Sequence, residues 1–133
     1  MVDIREQSPL SLAFVGDAVY SLLIREHLVN EKRYPINKVH LMAVQYVSAK
    51  GQFLALELLE PVLTQEEKLI AKRGKNSSKA SVAKHASPEE YRASTGFECL
   101  LGYLRLTAQD ERIDFLVNYI IENLVFPTEE AKD

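Results

Sequence analysis

The amino-acid sequence predicts an all-α fold, and two observations carry that prediction. Apolar residues recur at helical spacing through most of the 133 residues, and no stretch alternates polar and apolar side chains as a half-buried strand would. No Asn-Gly or Asp-Gly hairpin turn separates β-branched runs. Because single cores usually run to about 100 to 150 residues, we expect one helical domain spanning residues 1–133.

The first two helical stretches are bounded by proline. Ser8 is a typical N-cap and the proline after it suits the first helical position, so a helix is predicted from there to about Leu28. A second helical stretch spans residues 35–61, with Asn37 as its expected cap and a proline at its end.

Two capping boxes mark the next helices. Thr64–Glu67 opens a third helix that ends near Gly74, and Ser87–Glu90 opens a fourth that runs to about Leu106. A fifth helix is predicted over residues 110–126 from apolar side chains three and four residues apart. Five helices therefore account for most of the chain.

The charge of the chain is unevenly distributed. The formal net charge is −3, yet residues 68–88 contain six Lys or Arg and no acid, which leaves 10 basic and 19 acidic residues elsewhere. Such segregation favours a local basic surface on an acidic body. Residues 74–87 lack a helical pattern and are expected to form a mobile basic loop, and residues 127–133 a frayed tail.

Composition and motifs exclude several classes of protein. Cys99 is the single cysteine, lies in an apolar run and is expected to be a buried thiol. The N-terminus is too acidic for a signal peptide and no apolar stretch reaches the ~20 residues of a membrane span, so a cytoplasmic protein without membrane contact is expected. The three histidines are far apart and form no zinc motif.

Two isolated acids are the candidate catalytic residues. Asp17 lies in a helix that is apolar on nearly every face, and Glu98 repeats that situation in the fourth helix. A buried carboxylate is costly unless it is paired or binds a metal. Each acid could instead form a structural ion pair, and Asp17 could be exposed on a polar face together with Ser21.

Taken together, the two acids favour a shared metal site. Carboxylate oxygens suit Mg²⁺ or Mn²⁺, which keep several waters and often bind one or two protein carboxylates plus phosphate. Thr95 lies one turn before Glu98 on the same helix face, where it could hold a metal-bound water. The predicted catalytic and metal-binding residues are Asp17 and Glu98, with Thr95 acting through water.

Several segments resemble a known family. Residues 12–19 (LAFVGDAV) resemble the signature of the ribonuclease III catalytic domain, and residues 95–102 (TGFECLLG) resemble its second acidic motif. The chain is most similar to the mini-ribonuclease III subgroup, which lacks a double-stranded-RNA-binding domain, through residues 47–50, 72–76 and 91–92. The resemblance extends in order from Leu10 to about Leu106.

The resemblance implies a helical, homodimeric endonuclease that hydrolyses both strands of double-stranded RNA with Mg²⁺, or Mn²⁺ as a substitute, and leaves 5′-phosphates. The substrate it implies is precursor ribosomal RNA, chiefly 23S, and it leaves open whether a ribosomal protein assists. The signature aspartate falls on Asp17 and the second-motif glutamate on Glu98. Two further acids of full-length ribonuclease III are replaced by Ala13 and Thr95, as in the mini subgroup, so the number of metal ions stays open.

Because no separate RNA-binding module is expected, the dimer itself must hold the duplex. Basic and amide side chains that reach phosphates and 2′-hydroxyls across the minor groove would do so. The predicted RNA-binding residues are Lys50, Lys72, Arg73, Lys75, Asn76 and Lys79. Lys50 could instead be a solvated surface lysine, and the basic segment a solvated loop.

Two alternative functions remain at this point. The loss of two family acids would also fit a non-catalytic RNA-binding or ribosome-assembly module, which metal-dependent cutting of a long duplex would exclude. A helical interaction protein whose basic loop binds an acidic protein leaves the two isolated acids unexplained. Binding that persists at high salt would favour it, since phosphate-driven affinity falls steeply with salt.

Overall fold

The computed structural model describes residues 3–78 and 86–127. They form six α-helices and two single 3₁₀ turns, without a strand, which confirms the all-α prediction. The helices are α1 (Pro9–Glu31), α2 (Ile36–Val47), α3 (Ala49–Leu59), α4 (Gln65–Ser77), α5 (Pro88–Leu106) and α6 (Asp110–Asn123), and the 3₁₀ turns are Ile4–Glu6 and Glu60–Val62. None of these helices is both long and apolar enough to cross a membrane.

The helix caps largely follow the sequence. Ser8 caps α1, and both predicted capping boxes are present, at Thr64 with Glu67 and at Ser87 with Glu90. The predicted cap at Asn37 is wrong: Pro35 is the N-cap of α2, so the helix begins two residues earlier than that cap would place it.

The predicted second helix is in fact two helices that meet at Ser48. The Ser48 N–H donates to the Val44 carbonyl (3.0 Å) and ends α2, while its hydroxyl accepts from the Gly51 N–H (3.1 Å) and begins α3. A Cβ on Gly51 would lie 2.0 Å from the Gln45 carbonyl oxygen. The bend therefore depends on a capping serine and on a glycine that lets the two helices approach closely.

Helix α4 is longer than predicted and α6 is shorter. Residues 74–77, expected in the basic loop, form the last turn of α4. Gly74 packs there against α5, where a Cβ would lie 2.7 Å from the Cβ of Cys99, and this contact supports a turn that is polar in sequence. Helix α6 ends at Asn123, short of the predicted residue 126. The rest of the predicted loop and tail lies mainly at 79–85 and 128–133, outside the described residues.

Helix α5 is the central helix of the core. It contacts α1, α3, α4 and α6, and ten of its 19 residues are buried, as expected for a helix that is covered on most faces. Tyr20 of α1 meets Phe97 of α5 edge to face, with ring centroids 4.7 Å apart. Glu98 follows Phe97 directly, so this rigid packing fixes the backbone that carries it.

Candidate functional site

Two glycines bring α1 and α5 into backbone contact. A Cβ on Gly16 would lie 1.7 Å from the Glu98 carbonyl oxygen, and a Cβ on Gly102 would lie 1.8 Å from the Leu12 carbonyl oxygen. Any side chain at either position would push the helices apart. The crossing therefore places Asp17, the residue after Gly16, beside Glu98.

The carboxyl groups of Asp17 and Glu98 lie within hydrogen-bonding reach of each other. Glu98 is half-buried and Asp17 is exposed. Burial, followed by the hydrogen bond and negative charge of Asp17, raises the pKa of Glu98 to about 8, partly opposed by a hydrogen bond from Gln52. With this pKa Glu98 is mainly protonated at neutral pH, because two ionised carboxylates this close repel each other, and a bound cation would take the place of the proton.

The exposure of Asp17 agrees with one of the alternatives left open by the sequence, a position on an exposed face of α1. Asp17 is not buried inside the apolar helix but lies on an exposed face of α1. Large apolar side chains of α1 are exposed as well, among them Phe14 with an exposed fraction of 84%. The sequence of α1 is apolar on nearly every face, and part of this apolar surface is exposed in the single chain.

Gln52 is a site residue that the sequence did not reveal. Its side-chain nitrogen donates to the Val47 carbonyl (3.1 Å) and to Glu98 Oε2 (3.2 Å), and the residue is only 2% exposed. The signal available in the sequence was weak, because one glutamine between Gly51 and Phe53 looks like an ordinary polar helix residue.

The donor set suits a hard divalent cation. Two carboxylates face one another at the helix crossing, and one of them is desolvated. Across residues 3–78 and 86–127 there is no group of three or more His, Cys, Asp or Glu that could hold a metal. A site with only two protein carboxylates fits Mg²⁺, which keeps much of its water shell, better than it fits zinc.

Thr95 is buried, and its hydroxyl has two partners. It lies 3.1 Å from the Tyr91 carbonyl oxygen and 3.2 Å from the Ser78 hydroxyl. These contacts tie the end of α4 to α5 one turn before Glu98. Water-mediated metal binding by Thr95 would have to share the hydroxyl with these two contacts.

The predicted RNA-binding residues occupy two helices. Lys50 is exposed in the first turn of α3, two residues before Gln52, while Lys72, Arg73, Lys75 and Asn76 are exposed in the last turns of α4. Lys79 lies outside the described residues. Gly96 of α5 makes room for the Lys75 stem, since a Cβ there would lie 2.6 Å from Lys75 Cγ. The stem of the Lys75 side chain therefore lies against α5 at Gly96, two residues before Glu98.

Cys99 is buried, as predicted, with an exposed fraction of 1%. Burial raises the pKa of its thiol to about 11, opposed in part by the positive charge of Arg73. A thiol with so high a pKa is a poor nucleophile at neutral pH. Cys99 is therefore not a candidate nucleophile.

The model of the ribonuclease III domain family matches residues 10–109 of this chain. Mini-ribonuclease 3 of Streptococcus pneumoniae is 45% identical over 126 residues, which cover 93% of this chain and 98% of that protein. Mini-ribonuclease 3 of Enterococcus faecalis is 43% identical and covers 93% and 96%. The crystal structure of protein FN1578 from Fusobacterium nucleatum superposes with a TM-score of 0.81 at 32% identity, covering 92% and 98%.

Proposed function

The chain belongs to the ribonuclease III family and is an endoribonuclease, and we propose that it is a metal-dependent enzyme that cuts double-stranded RNA. Asp17 and Glu98 are its catalytic acids. The observation that carries this proposal is the meeting of their two carboxyl groups at the glycine crossing of α1 and α5. An ion pair with a basic residue would have satisfied either acid, whereas an acid facing an acid favours a cation between them.

Asp17 and Glu98 would bind Mg²⁺, with Mn²⁺ as a substitute. Mg²⁺ bound there would lower the pKa of water and offset negative charge on the scissile phosphate. The residues themselves supply position: the glycine crossing fixes their backbones, and exposed Asp17 would leave a bound cation accessible to RNA. Thr95 could assist through a water, provided that its hydroxyl keeps the Tyr91 and Ser78 contacts.

The duplex would be held by the basic residues on α3 and α4. Lys50, Lys72, Arg73, Lys75 and Asn76 are exposed, and together with Lys79 they would contact phosphates and 2′-hydroxyls. Replacing Lys72, Arg73, Lys75 and Lys79 together by Ala should weaken duplex binding and flatten its salt dependence. Unchanged affinity and unchanged salt slope would place the RNA-binding surface elsewhere.

A homodimer would place two such sites on one duplex. Exposed apolar side chains line one face of α1, at Leu10, Phe14, Leu22 and Val29, and a second copy would cover them in an isologous interface. Phe14→Glu should therefore dissociate the dimer in sedimentation at micromolar concentration. A wild-type protein that sediments only as monomer while cutting both strands would contradict this.

The proposed substrate is precursor 23S ribosomal RNA in the cytoplasm, processed with or without a ribosomal protein. The relatives are mini-ribonucleases, which supports the class of enzyme, and the basic residues near the site favour a highly charged substrate.

The test is a cleavage assay on a long RNA duplex. Wild-type protein with Mg²⁺ should produce fragments with 5′-phosphates, and chelator should stop the reaction. Asp17→Asn is the control for contaminating nucleases. Binding of the duplex without any metal-dependent cleavage would favour the alternative, a non-catalytic RNA-binding or ribosome-assembly module.

A further inference from the structure

We propose that Gln52 is a positioning residue that holds the Glu98 carboxylate in its metal-binding orientation. The inference rests on the proposed function, because it assigns a role toward the metal site at Asp17 and Glu98. It goes beyond that proposal by linking the site to the junction of α2 and α3, 46 residues away in sequence.

The local fold directs Gln52 toward α5. Ser48 caps α3, and Gly51 lets the first turn of α3 pack on the last carbonyls of α2. Gln52 is the next residue, and its side chain turns inward, where it is 2% exposed. A glutamine at this depth reaches the centre of the fold instead of solvent.

The hydrogen bonds of Gln52 fix the orientation of its amide. Its two partners are the Val47 carbonyl at 3.1 Å and Glu98 Oε2 at 3.2 Å, and both are acceptors when Glu98 is in the ionised form that would bind a metal. Only the NH₂ group can satisfy both, using one hydrogen for each. The Val47 carbonyl therefore anchors the amide, and the second hydrogen holds one oxygen of Glu98.

The carbonyl oxygen of the Gln52 side chain also supports a functional role for this residue. The Gln52 Oε1 atom is buried and has no hydrogen-bond partner among the described residues. An unpaired buried carbonyl costs about 1 to 3 kcal/mol, which offsets the two hydrogen bonds of the NH₂ group, so the Gln52 side chain adds little net stability. What glutamine adds at this position is the donor to Glu98.

Such a donor would fix the geometry of a metal ligand. Groups that hydrogen-bond to a ligating carboxylate orient it, and losing them typically costs about 10- to 100-fold in metal affinity or activity. Holding Oε2 through Gln52 restricts the rotation of the Glu98 carboxylate beside Asp17.

The experiment compares Gln52→Met with Gln45→Met in the full-length protein. Both remove one glutamine amide close to the α2–α3 junction, but Gln45 is exposed and serves as the matched control. Mn²⁺ affinity is measured without RNA by electron paramagnetic resonance. Melting temperature, duplex affinity, and single-turnover cleavage over a range of Mn²⁺ concentrations are measured on the same samples.

Gln52→Met should raise the Mn²⁺ concentration for half-saturation by about 10-fold or more and leave melting temperature and duplex affinity unchanged. Cleavage should recover toward the wild-type rate at high Mn²⁺. Gln52→Leu, with a different apolar shape, should show the same metal effect, because the lost donor is common to both variants. Gln45→Met should behave as wild type.

Two results would overturn the inference alone: wild-type metal affinity in both Gln52 variants, or a loss of cleavage that follows loss of folding and does not recover with Mn²⁺. A wild-type protein that neither binds Mn²⁺ nor cuts duplex RNA would overturn the proposed function as well. The wild-type measurement thus separates the two failures.

Discussion

Two glutamates in this fold have opposite electrostatic environments. Glu67 is buried at the start of α4, where Arg112 donates to both of its oxygens at 2.8 Å and the Thr64 N–H donates to one of them. Glu98 is half-buried in α5 and faces Asp17, with Gln52 as a neutral donor. Glu67 is neutralised by Arg112 within the protein, whereas Glu98 is held beside a second acid, Asp17.

The pKa values record this difference. Burial alone would raise the pKa of Glu67, but the hydrogen bonds and positive charge of Arg112, with the Thr64 backbone, bring it below the usual value. At Glu98, burial and Asp17 act in the same direction and raise the pKa to about 8. The comparison teaches that buried charge alone does not identify a functional acid. Among residues 3–78 and 86–127, no basic side chain forms an ion pair with Glu98, and this favours Glu98 as a candidate functional acid.

The largest expected effect comes from removing either acid of the site. Asp17→Asn and Glu98→Gln should each lower single-turnover cleavage by at least about 1000-fold, since metal-assisted charge stabilisation supplies several kcal/mol. Melting temperature should stay the same or rise, because each change removes repulsion between the two carboxyl groups. Cleavage and melting are to be measured on the same samples. A variant that unfolds while its folded fraction cuts normally would mark that acid as structural.

Gly16→Ala should damage both stability and cleavage. Its Cβ would overlap the Glu98 carbonyl, so α1 and α5 must separate, at a cost of about 3 kcal/mol, and the two acids move apart. Urea denaturation and metal-dependent cleavage measure the two consequences. Ala18→Ser, two residues along α1 at an exposed position, is a control for small changes on this helix. Normal cleavage by folded Gly16→Ala would show that the close crossing is not needed for catalysis.

Glu67→Gln should lower stability by about 2 kcal/mol and leave the activity of the folded enzyme unchanged. The lowered pKa of Glu67 means that its ion pair stabilises the fold above the ordinary glutamate pKa of 4.5, and that this stability is lost as pH falls through the lowered value. The stability gap between wild type and variant should therefore be full at pH 6 and shrink in strong acid. Chemical denaturation at several pH values tests this, and a gap that does not depend on pH would exclude the ion pair as its source.

The sequence predicted the parts of the fold that depend on local pattern, such as the capping boxes that located α4 and α5. Asp17 and Glu98 were candidate site residues because each is a lone acid among apolar residues, and their role stays a prediction. The break at Ser48 was missed because the apolar spacing continues across it. Its only local sign was a serine three residues before a glycine, which is a common pair.

The remaining features depend on contacts between distant parts of the chain. Gln52 reaches Glu98 across 46 residues, and Glu67 pairs with Arg112 across 45. Neither partner is indicated by the residues around it. The exposure of Asp17 was left open for the same reason, since which face of an apolar helix stays uncovered is decided by the packing of the other helices.

The proposed metal site is a carboxyl pair, Asp17 and Glu98, whose repulsion a divalent cation would relieve. The most direct test is to follow the Glu98 side-chain carboxyl by ¹³C nuclear magnetic resonance as a function of pH, with and without Mg²⁺. Without metal, Glu98 should titrate near pH 8, and saturating Mg²⁺ should move its titration to lower pH because the bound cation favours the charged form. Asp17→Asn should also lower the metal-free value by removing the facing charge. A Glu98 carboxyl that titrates near its ordinary value of 4.5 whether or not Mg²⁺ is present would contradict the account.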